Sequence, residues 1–108
     1  MKLAKIEKWF INRELHSKKV IERTERLLDF IDIEPEQTML EIGCGSGAVS
    51  KHSYDKYKLN VTGTDVDEDQ IEIAKMSTKD LKNINFLFAD ATNLPFRSKS
   101  FDIVLSIN

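Results

Sequence analysis

The sequence has a single cysteine, Cys44, two scattered histidines, His16 and His52, and no long apolar run. One cysteine rules out an internal disulfide, so the fold must stand on its core. Structural zinc wants four nitrogen or sulfur ligands, usually in close pairs, so no metal site is expected. No stretch approaches the ~20 apolar residues of a membrane span. The N-terminal Met1-Lys2-Leu3-Ala4-Lys5 has no apolar segment behind its lysines, so it does not read as a signal peptide. A cytoplasmic location with no membrane partner is the expectation.

What remains is the balance of a water-soluble globular domain: 41 % hydrophobic and 31 % charged residues in a chain of 108. That length suits one domain and allows a real core. The net charge of −2 is unevenly spread. Residues 1–26 hold eight Lys/Arg against four Glu, whereas residues 27–108 hold eight against fourteen acids. A solvated helix face accounts for this most simply. A basic arm that holds an anionic substrate or RNA is the sharper reading.

The first third has helical spacing. Leu3, Ile6 and Phe10 recur on one face, and so do Val20, Thr24, Leu27, Leu28 and Ile31, with a weak spot at 12–17. Pro35 breaks the pattern, because the residue before a proline is pushed out of the helical region. Residues 1–34 are therefore expected to be a helical segment and 35–108 a separate unit. In the latter, Thr38–Ile42, Leu59–Thr64, Ile84–Ala89 and Phe101–Ser106 read as strands. Helices are expected at Ala48 to about Tyr57 and after Asp67, where Gln70 three residues on resembles a capping box and Ile71, Ala74 and Ile73 supply an apolar side. Strands alternating with single helices predict an α/β fold with a parallel sheet and helices on both faces.

The strongest signal is Leu40-Glu41-Ile42-Gly43-Cys44-Gly45-Ser46-Gly47, a strand entering a glycine loop that opens a helix. Glycines allow positive φ and close approach of a ligand to the main chain. The helix start offers N–H groups and partial positive charge. A triphosphate-binding loop needs Gly-Lys-Ser/Thr, but Gly47 is followed by Ala48 and Val49. A dinucleotide loop, as for NAD, is met in its loosest form by Gly43, Gly45 and Ala48, and leaves Glu41, Gly47 and the Asp90 segment without a role. Asp65 lies 20 residues past Gly45, where Rossmann-type folds place a ribose-binding acid. Taken alone, Asp65 is as well read as a helix cap, Asp90 as a turn starter, and Cys44 as a small packing residue.

Glu41, Gly43, Gly45 and Gly47 together resemble motif I of class I S-adenosylmethionine-dependent methyltransferases. Asp90-Ala91, Leu94-Pro95-Phe96 and Phe101-Asp102 resemble the small-molecule branch of that family, which includes quinone and sterol methyltransferases. The resemblance implies a Rossmann-like three-layer sandwich with sheet order 3-2-1-4, cut before strands 5–7. It implies S-adenosylmethionine as cofactor, held by Glu41, Gly43, Cys44, Gly45, Gly47, Asp65, Val66, Asp90 and Ala91. Asp65 would accept from the ribose hydroxyls, Val66 would pack on adenine, Asp90 would accept from the adenine amino group, and the Ala91 N–H would meet the ring. No catalytic base is assignable. Family members that methylate amino groups of bases or glutamine carry Asn-Pro-Pro-Tyr after strand 4. Ile107 stands where its asparagine is expected, which favours a small-molecule acceptor and leaves RNA or protein open. A non-catalytic cofactor-binding or assembly module is the rival. The chain by itself is expected to be inactive and to pair with a second copy through an exposed strand 4.

Overall fold

The structure is a computed structural model that describes residues 18–97 and 100–106. The stripe Leu3, Ile6 and Phe10, the weak spot at 12–17, and Ile107 lie outside the described residues. The chain divides into two units, Met1–Asp32 and Ile33–Asn108.

In the first unit residues 18–30 are helical (α1). Val20, Thr24 and Leu28 are its buried positions, four residues apart as a helix face requires. The Thr24 hydroxyl returns to the Val20 carbonyl at 2.8 Å, which removes the cost of burying it. Leu27 and Ile31, expected on the same apolar side, are about half exposed.

The second unit runs β1 (Thr38–Ile42), α2 (Ala48–Tyr57), β2 (Asn60–Asp65), α3 (Glu68–Ser77), β3 (Ile84–Phe88) and β4 (Ile103–Ser106). All pairings are parallel and the order is β3-β2-β1-β4, as the resemblance implies. A turn at 35–36 follows the proline break, and Glu36 takes φ 71°.

Register divides the sheet into two faces. Met39, Glu41, Val61, Gly63, Phe86 and Leu105 share one; Leu40, Ile42, Thr62, Thr64, Leu87 and Val104 share the other. Phe86 is the centre of the first face. A Cβ at Gly63 would lie 2.7 Å from its ring, and one at Gly47 2.8 Å. Ala74 of α3 would lie 3.2 Å from the same Gly47 Cβ. Both helices thus pack over Phe86. β1→β2→β3 steps one way along the sheet, so these two right-handed crossovers fall on one side. The core of that layer is Met39, Leu59, Val61, Ile71, Ala74 and Phe86, each at most 3 % exposed. Each large member contributes roughly 1.5–3 kcal/mol by leaving water.

On the other face, Leu40 and Ile42 join Leu94, Phe96, Phe101 and Val104 around a hollow of about 250 Å³. Phe96 and Phe101 meet edge-to-face, centroids 5.1 Å apart. Among the described residues no helix of this unit covers that face.

Two local expectations are corrected. Ile73 is 51 % exposed, because Gln70, Ile71 and Ala74 take the inward positions of α3. The capping box is half formed: Asp67 Oδ1 accepts from the Asp69 and Gln70 N–H groups, but the Gln70 side chain does not return the bond. The Asp67 N–H is taken by Asp65 Oδ1 at 2.9 Å instead.

Candidate functional site

In a parallel sheet the loops after the strands gather at one end, and ligands bind there. The glycine loop is folded back across that end. The Gly43 and Cys44 N–H groups both donate to the Thr64 carbonyl, at 2.8 and 2.9 Å, and the Gly47 N–H closes a turn onto the Cys44 carbonyl at 3.0 Å. Gly45 has φ 56° and Gly47 φ 90°, a region open to glycine and strained for other residues. Gly47 caps α2 without a side chain, and the first turn of α2 carries no acid.

The acid comes from below. Glu41 is 3 % exposed, and its Oε1 accepts the Ser50 hydroxyl at 2.5 Å. The Ser50 N–H also favours the carboxylate. Burial nevertheless dominates and pushes the Glu41 carboxyl up to about 7. A residue of β1 therefore ties down the first turn of α2 and fixes where the loop starts and stops. Ser50 was not singled out from the sequence; its place three residues beyond the last loop glycine is the signal that could have found it.

Asp65 ends β2 and is shared between two amides. Its Oδ2 accepts from the Gly45 N–H at 2.8 Å and its Oδ1 from Asp67. A carboxylate has about four lone-pair sites, so each oxygen retains acceptor capacity. The Asp65 carbonyl also takes the Ala89 N–H at 3.0 Å, which ties the ends of β2 and β3 together. Val66, 61 % exposed, and Phe88, 57 % exposed, line an open depression of about 590 Å³ with Asp67, Glu68 and Asp69. Two bare apolar side chains with carboxylates beside them suit a flat polar ring system. Phe88 was missed from sequence because only Ala89 and Asp90 drew notice at that strand end.

Asp90 is fully exposed. Its Oδ1 accepts the Thr92 N–H and hydroxyl at 2.9 and 2.8 Å, and these bonds hold the carboxyl below its ordinary range. It is thus the turn starter that its sequence position allowed, with both of these bonds on Oδ1 and Ala91 exposed beside it.

The structure brings Gly43, Gly45, Asp65, Val66, Asp90 and Ala91 to one end of the sheet, at or near the surface, with Glu41, Cys44 and Gly47 buried beneath. Cys44 uses its N–H on Thr64 and its carbonyl on Gly47, and burial pushes its thiol up to about 12. It builds the loop and has no free polar group to line it. Among the described residues no group of three or more His, Cys, Asp or Glu could hold a metal, and no helix is long and apolar enough to cross a membrane.

A family model described as a methyltransferase domain matches residues 39–108. The chain belongs to that family. This methyltransferase domain is 29 % identical over 87 residues to phosphoethanolamine N-methyltransferase 3 of Arabidopsis thaliana, a match covering 80 % of the chain and 18 % of the relative. It is 30 % identical over 82 residues to demethylmenaquinone methyltransferase of Staphylococcus saprophyticus, covering 74 % and 35 %. The domain thus spans about a fifth to a third of the length of these relatives. Phosphoethanolamine N-methyltransferase 2 of Haemonchus contortus, solved with S-adenosyl-L-methionine, superposes with a TM-score of 0.68 at 28 % identity, over 74 % of this chain and 19 % of that one.

Proposed function

We propose that residues 35–108 form the cofactor-binding half of an S-adenosylmethionine-dependent methyltransferase that acts on a small molecule. The carrying observation is the junction of Gly45 and Asp65 at 2.8 Å, beside the exposed Val66 and Phe88 and the unfilled start of α2. These groups match the cofactor's parts. Asp65 accepts from the ribose hydroxyls. Val66 and Phe88 flank the adenine ring, and Asp90 with the Ala91 N–H reads its polar edge. The Ala48 and Val49 N–H groups at the α2 start face the methionine carboxylate. Glu41, Cys44 and Gly47 act through the loop they shape.

When bound, the cofactor supplies an activated methyl group, so the protein's work is positioning and charge. A small acceptor is supported by relatives named for phosphoethanolamine and demethylmenaquinone. Pairing of a second copy along the free edge of β4, where Val104 is 59 % exposed, belongs to the same reading and is decided by light scattering.

Calorimetry with S-adenosylmethionine, S-adenosylhomocysteine and NAD tests the assignment. Binding of the first two and not the third is expected; tighter binding of NAD overturns it. The rival module reading separates in a methyl-transfer assay of the full reading frame, where a binder that transfers no methyl to any acceptor is a non-catalytic module.

A further inference from the structure

α1 carries three strips along its length. Val20, Thr24 and Leu28 are buried. Glu22, Glu25 and Asp29 run along a second strip. Lys19, Arg23, Arg26 and Phe30 make the third. At 3.6 residues per turn these four fall within about 60° of arc, with rises of about 6, 4.5 and 6 Å between neighbours, and the acids lie about 100° round the helix. All four are exposed, Phe30 at 92 %, with Leu27 beside it at 51 %. Neither Arg23 nor Arg26 is held in an ion pair among the described residues.

Glu22 and Asp29 stand one turn from Lys19 and Arg26 on the neighbouring strip. The third strip still aligns three exposed cations in a row that ends on a bare aromatic ring. α1 as a whole holds four Lys/Arg against three acids, so the strip is basic by how its charges are arranged and not by their number. We propose that the Lys19–Arg23–Arg26–Phe30 strip of α1 is a binding surface for single-stranded nucleic acid, the cations taking successive phosphates and Phe30 stacking on a base.

The spacing of the cations is close to one nucleotide step of an extended strand, and an aromatic side chain accepts any base by its face. A duplex keeps its base faces stacked inside and gives Phe30 nothing to meet. An anionic bilayer needs an apolar face along the whole helix. The continuous apolar face of α1 is already buried, and the exposed apolar surface is one turn long. The surface lies wholly within residues 19–30 and is independent of the cofactor reading.

Fluorescence anisotropy of a short labelled oligouridylate with the whole chain tests it. Binding is expected at low salt, with log K falling against log salt at a slope of about −2, since three single-strand phosphate contacts contribute roughly 0.7 each. R23E/R26E should abolish it. F30A should weaken it roughly tenfold and F30W should restore it. Circular dichroism of each variant establishes that the helix is intact, and unchanged cofactor calorimetry separates the two sites. A blunt duplex should bind more weakly and ignore F30A. The proposal is overturned if no shift appears by about 100 µM protein at about 50 mM salt. It is equally overturned if R23E/R26E binds like the parent, or if phosphatidylserine vesicles sediment the chain while the oligonucleotide does not bind.

Discussion

The Gly45 N–H donates to Asp65 Oδ2 at 2.8 Å, across twenty residues of sequence. The acid expected to hold the ribose also holds the glycine loop. Asp65→Ala should therefore act twice, removing a ligand contact and releasing the loop. Cofactor affinity should fall by roughly 1–3 kcal/mol, read by calorimetry. Asp65→Asn keeps an oxygen for Gly45 but loses the charge, and should fall between. Affinity unchanged in both would show that Asp65 neither meets the ligand nor holds the loop in its binding shape.

Gly47→Ala should destabilise the fold by roughly 1–3 kcal/mol from its backbone conformation alone. Its new Cβ would also sit 2.8 Å from the Phe86 ring, which has no room to retreat between α2, α3 and β2. Pairing it with Phe86→Leu should recover the steric part and leave the backbone part. Thermal unfolding of the single and double variants gives both numbers; full additivity would mean that the ring is not what Gly47 makes room for.

Glu41 makes stability depend on pH in the direction opposite to most carboxylates. Its folded value is about 7 against an ordinary 4.5. Between these values the folded chain keeps a proton that the unfolded chain has released. The contribution is complete below pH 4.5 and is lost as pH rises to 7, on the order of 3 kcal/mol. Glu41→Gln, which keeps a partner for Ser50, should flatten that slope in urea titrations across this range. An identical slope in the variant would place the titration elsewhere.

Thr38 and Asp102 clip the starts of β1 and β4 together. Asp102 Oδ2 accepts from the Thr38 N–H at 2.9 Å and from its hydroxyl at 3.1 Å, and the Asp102 N–H donates back to that hydroxyl at 3.0 Å. All three bonds are exposed, so Asp102→Ala should cost only about 1 kcal/mol overall. The local effect is larger: amide exchange in β4 should quicken, while β2 stays protected. Uniform quickening across the sheet would show that the clip is not local.

Much of this was legible in the sequence, for a definite reason. β1 and α2 begin and end where expected because the glycine loop separates a short apolar run from a helical one. Asp65 and Asp90 fall at strand ends, so chain order alone brings them together. β4 was read two residues too long, since the aromatic Phe101 places an apolar residue just before its run. In the folded chain Phe101 turns to Phe96 and Asp102 turns to Thr38. Contacts between elements were the blind spot. Ser50 under Glu41, and Phe86 in the space left by Gly47 and Gly63, depend on which layer each helix joins, and that follows from the direction of the crossovers. Gly63 in mid-strand was a visible sign of such an approach.

Cys44 lies at the crossing of these contacts, 7 % exposed, with its thiol held well above neutrality. A thiolate reagent can reach it only when the loop lifts off the end of β2. Because it is the single cysteine of the chain, its labelling rate in native buffer is a built-in clock for that opening, and a cofactor clasped by the loop would slow it.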